Sequence, residues 1–359
     1  MSEGQVGRKY DEDGLNVGAE FTEADLSITT TDAFFQRSHA PPPDIDPSAW
    51  RLRVEGLVER PMAYSLSDLA STFPHREVTA TLLCAGLRRA EFQEVRPVPG
   101  ELLWGSDAVS TGVWGGFALA DILRATGVAA EARHVEFVGL DQVTRGGETF
   151  GFGGSIHLAK ALSDDLILAT HLNGSPLPPA HGFPMRAVVP GWIGARSVKW
   201  LSEIRLLPHP SRNYFQAEAY RIQREPNPDD PRDVSGGTAM TEVPRNAVIL
   251  DPMPGASVPA GPLRVRGWAM GEGGRPLMRV EVSMNGGRNW VPASLTPGPG
   301  RWTWNSWEAT MDMPSGQQVI LARASDEEGT MRSSLQESWN VKGYGNNAWY
   351  RVEVSVTGS

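Results

Sequence analysis

Cys84 is the only cysteine among 359 residues, and it sits in the stretch Thr81-Leu82-Leu83-Cys84-Ala85-Gly86-Leu87-Arg88-Arg89-Ala90-Glu91-Phe92. The apolar run before it predicts the end of a buried strand. Ala85 and Gly86 are small enough for a bulky group to lie against the backbone. Arg88 and Arg89 favour a thiolate over a thiol, and the thiolate is the form that binds soft metals. The competing reading is a buried structural cysteine that behaves as a small hydrophobe. The residue taken alone leaves both readings open.

A second constellation is cationic. His181, Arg186, Arg196 and Lys199 alternate with small and apolar residues, among them Gly182, Gly191, Gly194 and Ser197. Such an apolar-walled basic cluster, with glycine N–H groups free to donate, suits a phosphate; the alternative is a scatter of surface charges. A third stretch, Phe34-Phe35-Gln36-Arg37-Ser38-His39, sets aromatics beside a cation and an imidazole, and Ala40-Pro41-Pro42-Pro43 forces an extended path after it. Arg37 there is either a held charge or a solvated one. Ser211 to Tyr220 is aromatic-rich.

Composition narrows the classes. A hydrophobic share of 40% and a charged share of 21% describe a globular chain, long enough for two domains. A net charge of -9 argues against nucleic acid as a partner while leaving room for a local basic pocket. One cysteine excludes an intrachain disulfide and a multi-cysteine zinc site. No apolar run approaches the ~20 residues of a membrane helix. The first residues lack the apolar segment of a secretory leader, so a cytoplasmic location is expected, or a periplasmic one if a leader has been removed. Gly146 to Gly154 holds five glycines but not in G-x-G-x-x-G spacing, which excludes that dinucleotide fingerprint. P-loop, G-x-S-x-G and H-E-x-x-H motifs are absent from the sequence.

The elements that must position these residues follow from pattern. Residues 1–45 read as an arm. Leu52, Val54 and Gly56 alternate with polar residues as in a strand, and Ser65-Leu66-Ser67-Asp68 has the form of a capping box. Val109 to Gly116 is glycine-rich, as suits backbone close to a ligand. Leu119, Ile122 and Leu123 predict a helix capped by Gly127, and His134 to Leu140 predicts a strand. The style changes near Pro244. From there Leu263-Val265-Gly267, Val280-Val282-Met284, the turn Asn285-Gly286-Gly287, Val319-Leu321-Arg323 and Tyr350-Val352-Val354-Val356 predict about seven strands of an antiparallel sandwich, immunoglobulin-like without its disulfide. Seven of the 12 tryptophans lie from Trp268 on, as core or interface fillers.

Phe-Phe-x-Arg-x-His at 34–39, Cys-Ala-Gly-x-Arg-Arg at 84–89, His-Gly-Phe-Pro-x-Arg at 181–186, Gly-Ala-Arg-x-Val-Lys-Trp at 194–200 and Asn-Ala-Trp at 347–349 occur in one order along the chain. Together they resemble the sulfite oxidase family of molybdenum enzymes, from about Phe34 to Val356. The resemblance implies an α+β molybdopterin-binding domain over 46–243, preceded by an arm that contributes to the active site, and an all-β immunoglobulin-like dimerisation domain over 244–359. It implies Cys84 as the protein thiolate on molybdenum, beside the two sulfurs of the pterin dithiolene. His39, His181, Arg186, Arg196, Ser197 and Lys199 fall where the family grips molybdopterin and its phosphate. Arg37, Arg89, Trp104, Tyr220 and Lys342 fall at the substrate pocket, Tyr220 being placed by Ser-x-x-x-x-Gln-x-x-x-Tyr from Ser211.

The implied reaction is oxidation of sulfite to sulfate by oxygen-atom transfer. Guanidinium forks suit a small oxyanion. Two departures stand out: Leu87 where the family commonly has Asn, and Lys342 where the animal enzymes have Arg, which keeps the charge and loses the fork. No C-x-x-C-H occurs and no haem domain fits ahead of the fold, so electrons are expected to pass to an external cytochrome, another redox protein or oxygen. A homodimer is expected. The alternatives are a nitrate reductase-like or sulfoxide oxidoreductase on the same scaffold, and, more remotely, a non-enzymatic immunoglobulin-like binding protein.

Overall fold

The computed structural model describes residues 6–21 and 27–358. The site is carried by a five-stranded sheet in which Ser175–Pro176, Ile167–Leu172, Val109–Ala118 and His75–Leu83 lie side by side, and Arg186–Val188 also pairs with Ile167–Leu172. This one sheet delivers Cys84 at the end of the strand His75–Leu83 and Arg186 at the start of another. The alternation of that first strand fades into a fully buried end at Leu82 and Leu83, as the apolar run predicts.

A second five-stranded sheet orders Gly153–His157, His134–Gly139, Leu201–Leu207, Leu52–Gly56 and Met62–Tyr64. Leu201–Leu207 runs parallel to Leu52–Gly56 and antiparallel to His134–Gly139. Between the sheets the helix Leu119–Thr126 buries Leu119, Ile122 and Leu123, and Gly127 ends it at φ 72°, where a side chain would be strained. The capping box is present: the Ser65 hydroxyl accepts from the Asp68 amide, and the Asp68 carboxylate accepts from the Ser65 amide. No helix among the described residues is long and apolar enough to cross a membrane.

From Asn246 on the chain is a two-sheet β-structure. One sheet runs Asn246–Asp251, Gly261–Met270, Asn305–Met313, Ser294–Thr296; the other runs Ser257–Pro259, Tyr350–Thr357, Gly316–Asp326, Leu277–Ser283, Val291–Pro292, with Gly329–Thr330 beside it. That makes ten strands among the described residues where the alternation suggested about seven, because two- and three-residue edge strands carry too little pattern to see. The register of Gly316–Asp326 also differs from the reading. Ile320, Ala322 and Ala324 face the core, whereas Val319, Leu321 and Arg323 are half-exposed. Small alanines set the buried face, and the larger apolar residues mislead.

The two β-rich parts share one apolar core that contains both Cys84 and the sandwich residues. The Thr81 amide donates to the Trp302 carbonyl at 2.9 Å, and the Trp304 amide donates to the Thr81 hydroxyl at 3.1 Å, so the cysteine strand is locked to the sandwich three residues before Cys84. Trp268 stacks on Trp304 at 5.6 Å between ring centroids beneath this joint.

Two expectations change here. The glycines of Val109 to Gly116 serve strand packing rather than a ligand: a Cβ on Gly116 would lie 2.0 Å from the Leu168 carbonyl oxygen, and one on Gly112 would lie 2.6 Å from Leu172. Arg88, one of the two cations expected beside the thiol, turns away from it. Its guanidinium is fully buried, forks onto Glu91 with both contacts at 2.7 Å, and donates to the Asn246 side chain at 2.7 Å. It ties the cysteine loop to the sandwich. Replacing Arg88 by Met strands the Glu91 carboxylate and should destabilise the protein by about 3 kcal/mol, read as a lower midpoint in urea unfolding with the oligomeric state held fixed. An unchanged midpoint would show the tie to be dispensable.

Candidate active site

Cys84 stands at the first turn after its strand. Its amide donates to the Ala108 carbonyl at 2.9 Å, and the Gly86 amide donates to its sulfur at 3.4 Å. A donated N–H stabilises a thiolate. The space left by Gly86 is filled by the protein itself: a Cβ there would lie 2.7 Å from the Arg89 guanidinium. A Cβ on Gly343, which has φ 59°, would lie 2.7 Å from the Arg89 side chain on its other side. Arg89 is therefore clamped between two glycine backbones. Its Nε donates to the Lys342 and Gly343 carbonyls at 2.8 and 3.2 Å, and its Nη1 donates to the Leu102 carbonyl at 2.9 Å.

Two cavities meet at Cys84. An inner one is walled by Phe34, Leu82, Ala85, Asp141, Phe152, His181, Arg186, Ser197, Lys199 and neighbouring backbone. An outer, open cleft is lined by Arg89, Glu101, Arg145, Lys342 and Tyr344, with Asp230 and Asp233 also against it. Arg37, His39, Cys84 and Tyr220 line both.

The inner cavity holds buried cations with no ion-pair partner within 4 Å among the described residues; the Asp141 carboxylate acts on Lys199 only from farther off. Arg186 donates only to the carbonyls of His181, Ser197 and Ala187, and burial lowers its pKa to about 9. Lys199 donates to the Ser38 hydroxyl at 2.6 Å and the Ala180 carbonyl at 2.9 Å; burial and then Arg186 push its pKa well down. Buried charge without a counter-ion is costly, and the cost is relieved when an anion binds.

At the junction the proton positions follow from donor chemistry. The Arg37 guanidinium can only donate, so its contact of 3.2 Å with His39 Nδ1 makes that nitrogen an acceptor. Burial, followed by Arg37, holds the His39 pKa well below its usual value and the ring neutral. Its proton then sits on Nε2, which donates to the Tyr220 oxygen at 2.9 Å. Burial raises the Tyr220 pKa to about 12, so the phenol keeps its proton and directs it elsewhere, on the side where the two cavities meet.

The chain's first part, residues 39–215, matches the family model described as the oxidoreductase molybdopterin binding domain, and residues 237–357 match the Mo-co oxidoreductase dimerisation domain. The chain is 41% identical over 339 residues to sulfite oxidase from Gallus gallus, covering 91% of this chain and 73% of that one. It is 35% identical to sulfite oxidase from Arabidopsis thaliana, covering 90% of this chain and 87% of that one. The chain belongs to the sulfite oxidase family. Among solved structures, the sulfane dehydrogenase SoxCD from Paracoccus pantotrophus matches with a TM-score of 0.77 at 25% identity, over 93% of this chain and 82% of that one. The chain spans 62% of the length of human sulfite oxidase, and 39% of a Phaseolus vulgaris nitrate reductase that it matches at 34% identity.

Members of the sulfite oxidase family are molybdenum oxidoreductases, and the cofactor of this chain is molybdenum on molybdopterin. The residues present fit that group. Among the described residues no set of three or more His, Cys, Asp or Glu is arranged to hold a metal. A metal at Cys84 must therefore take its other ligands from a non-protein group, and the inner cavity opens directly onto the sulfur. The buried Arg186 and Lys199 suit the phosphate of such a group, and Asp141, a buried carboxylate whose pKa burial raises, offers an acceptor to its donor edge.

The structure brings together ten of the site residues that the motifs suggest: Arg37, His39, Cys84, Arg89, His181, Arg186, Ser197, Lys199, Tyr220 and Lys342. Two stand behind the walls. Arg196 lines neither cavity; its Nη1 donates to the Phe215 carbonyl at 3.0 Å and its Nη2 to the Met240 carbonyl at 3.4 Å, with its guanidinium 5.9 Å from the Tyr220 ring centroid. It holds the Tyr220 segment. Trp104 is fully buried and packs on Tyr10 of the arm at 4.2 Å, while its carbonyl accepts from the Ala90 amide at 3.0 Å. It backs the cysteine loop. Leu87 is buried in the apolar core, so hydrophobic packing occupies the place of the polar contact that Asn commonly makes there.

Four residues had escaped the motifs. Asn16 accepts from Arg37 at 3.0 Å; Asp141 walls the inner cavity; Glu101 and Tyr344 line the outer cleft. None carries a local signal, because each is brought to the site by the fold and not by a motif.

His181 gives a pH signature. Burial, then Lys199 and Arg186, lower its pKa to about 3, against 6.5 in an unfolded chain. Between those values the unfolded chain binds a proton that the folded one refuses, so stability falls as pH drops through that window. The loss should reach about 2 kcal/mol near pH 5. Urea melts of cofactor-free protein should show a steeper acid-side decline for the native chain than for His181→Gln. Parallel declines would contradict the assignment.

Proposed function

We propose that this chain oxidises sulfite to sulfate at the junction lined by Arg37, His39, Cys84 and Tyr220. The observation that carries the reading is the position of the single thiol. It lies where a cavity with the buried cations Arg186 and Lys199, fit for a phosphorylated cofactor, opens into a second cleft that carries Arg37, Arg89 and Lys342, fit for a small oxyanion. When bound, the cofactor supplies oxygen-atom transfer and two-electron redox chemistry. The net change is sulfite plus water to sulfate, two protons and two electrons.

The chain's own residues bind and orient. Arg37 commits three N–H bonds to Asn16, the Ser38 carbonyl and His39, which leaves two of its five for an oxyanion. Its planar charge is thus held at a set angle. Tyr220, with its oxygen already accepting from His39, has its O–H free to donate to an oxygen of the substrate or of the cofactor. Arg89 and Lys342 extend the positive wall outward. Lys199, Arg186, His181 and Ser197 hold the cofactor, and Cys84 ligates molybdenum.

The proposal divides the chain into an arm over 1–45, a cofactor-binding domain over 46–243 and an immunoglobulin-like dimerisation domain over 244–359. The two sheets, which bury residues of both in one core, and the parallel pairing of the sequence-distant strands Ser257–Pro259 and Tyr350–Thr357 support a sandwich of that kind. A homodimer follows from the dimerisation domain. The electron acceptor is a separate cytochrome, another redox protein or oxygen.

The test is expression in a host that makes the molybdenum cofactor, followed by metal analysis and a sulfite assay with an artificial acceptor. About one molybdenum per chain and acceptor reduction matched by sulfate formation are expected. Molybdenum without sulfite turnover would reject the substrate while keeping the cofactor, and nitrate would then be assayed.

A further inference from the structure

Of the carboxylates that line the outer cleft, Glu101 is the one paired, among the described residues, with its cations Arg89 and Lys342. Glu101 Oε1 lies 3.1 Å from Lys342 Nζ, and its Oε2 lies 3.7 Å from Arg89 Nη1. Glu101 and Lys342 side chains are each only 18% exposed, so this is a wall of the cleft and not a solvated pair. Arg89 is already committed through Nε and Nη1 to three backbone carbonyls and is wedged between Gly86 and Gly343. It cannot swing away from Glu101. Lys342, on a flexible stem, is the mobile member, and its carbonyl is what anchors Arg89.

We propose that Glu101 is a specificity-determining residue of the outer cleft: its carboxylate neutralises Lys342 and the outer face of Arg89, and so weights the site against the sulfate dianion. The inference rests on the sulfite-oxidising reading above. The physical reason is charge. Coulomb repulsion from a fixed carboxylate rises with the charge of the bound ligand. Sulfate is fully dianionic at neutral pH, whereas sulfite shares its charge with a proton in that range. The same carboxylate therefore opposes product more than substrate. Without it, Arg89 and Lys342 would have no carboxylate within 4 Å among the described residues and would hold a dianion more tightly. Lysine suits this arrangement better than arginine: a point charge can exchange Glu101 for the ligand by rotating its stem, whereas a fork bonded at two points is slower to yield.

The experiment uses the cofactor-loaded protein and reads sulfate in two ways, as a competitive inhibitor of sulfite turnover and by calorimetric titration of the resting protein. Glu101→Gln should bind sulfate about tenfold tighter or more. Its KM for sulfite should fall by a smaller factor, and its kcat should fall as product release slows. A residue with a purely structural role would weaken both ligands together. Unchanged or weaker sulfate binding in Glu101→Gln would overturn the proposal. Should that variant not retain molybdenum, Glu101→Ala is read by the same titration, and failure of both to retain the metal would assign Glu101 to folding and overturn the proposal equally. If the native protein does not oxidise sulfite but the variants bind sulfate more tightly, the substrate reading falls and the role of Glu101 in anion selection stands.

Discussion

Cys84→Ser is expected to give a folded protein that holds molybdopterin and has lost sulfite turnover by at least about a hundredfold. On the reading proposed above, the grip on the pterin is distributed over Arg186, Lys199, His181, Ser197 and Asp141, none of which hydrogen-bonds to Cys84, whose partners are the Ala108 carbonyl, the Gly86 amide and the Leu87 amide. Cys84 is 7% exposed, so exchange of sulfur for oxygen buries a hydroxyl and costs about 1–3 kcal/mol of stability. The loss is chemical. A hydroxyl stays protonated where a thiol ionises, and a hard oxygen does not reproduce the soft, polarisable donor that a two-electron metal uses. Pterin fluorescence after release, metal analysis and steady-state rates separate these effects. Near-native turnover would remove Cys84 from the mechanism.

Arg37→Gln is expected to raise the KM for sulfite by tenfold or more, since loss of a charge-assisted contact costs ~1.5–3 kcal/mol. A second effect follows from the hydrogen bonds. Arg37 is what makes His39 Nδ1 an acceptor and thereby puts the ring proton on Nε2, facing Tyr220. Glutamine can present its carbonyl to His39 instead, which permits the other tautomer. His39 Nε2 would then accept from Tyr220, and the phenol proton would no longer reach the junction. A fall in kcat should therefore accompany the rise in KM, and Tyr220→Phe should reproduce the kcat part without the KM part. An unchanged KM in Arg37→Gln would place the oxyanion elsewhere.

What was legible in the sequence was what local chemistry writes down. The run into Cys84, the capping box at Ser65, the helix ended by Gly127 and the alternation of Tyr350 to Val356 all appear as read, because each depends on neighbours a few residues away. The motifs also named most of the cavity walls. They could not separate a wall from what stands behind it: Arg88 and Arg89 are adjacent, yet the left-handed φ of 63° at Arg88 sends one into the sandwich joint and the other to the cleft. Arg196 and Trp104 lie behind the walls for the same kind of reason, being held by carbonyls and rings far away in the chain. Glu101 and Tyr344 were invisible because the fold, and not a motif, brings Glu101 to Lys342 and Tyr344 to Arg89 across the two parts of the chain. Leu87, read as a missing polar contact, proves to be an apolar residue in an apolar place.

The central claim is that the one thiol of this chain, at the meeting of two cationic cavities, is the protein's ligand to molybdenum. Molybdenum-edge X-ray absorption on the loaded native protein and on Cys84→Ser tests it most directly. The account predicts one sulfur fewer around molybdenum in the variant, with pterin content unchanged. An identical sulfur count in both proteins would contradict it.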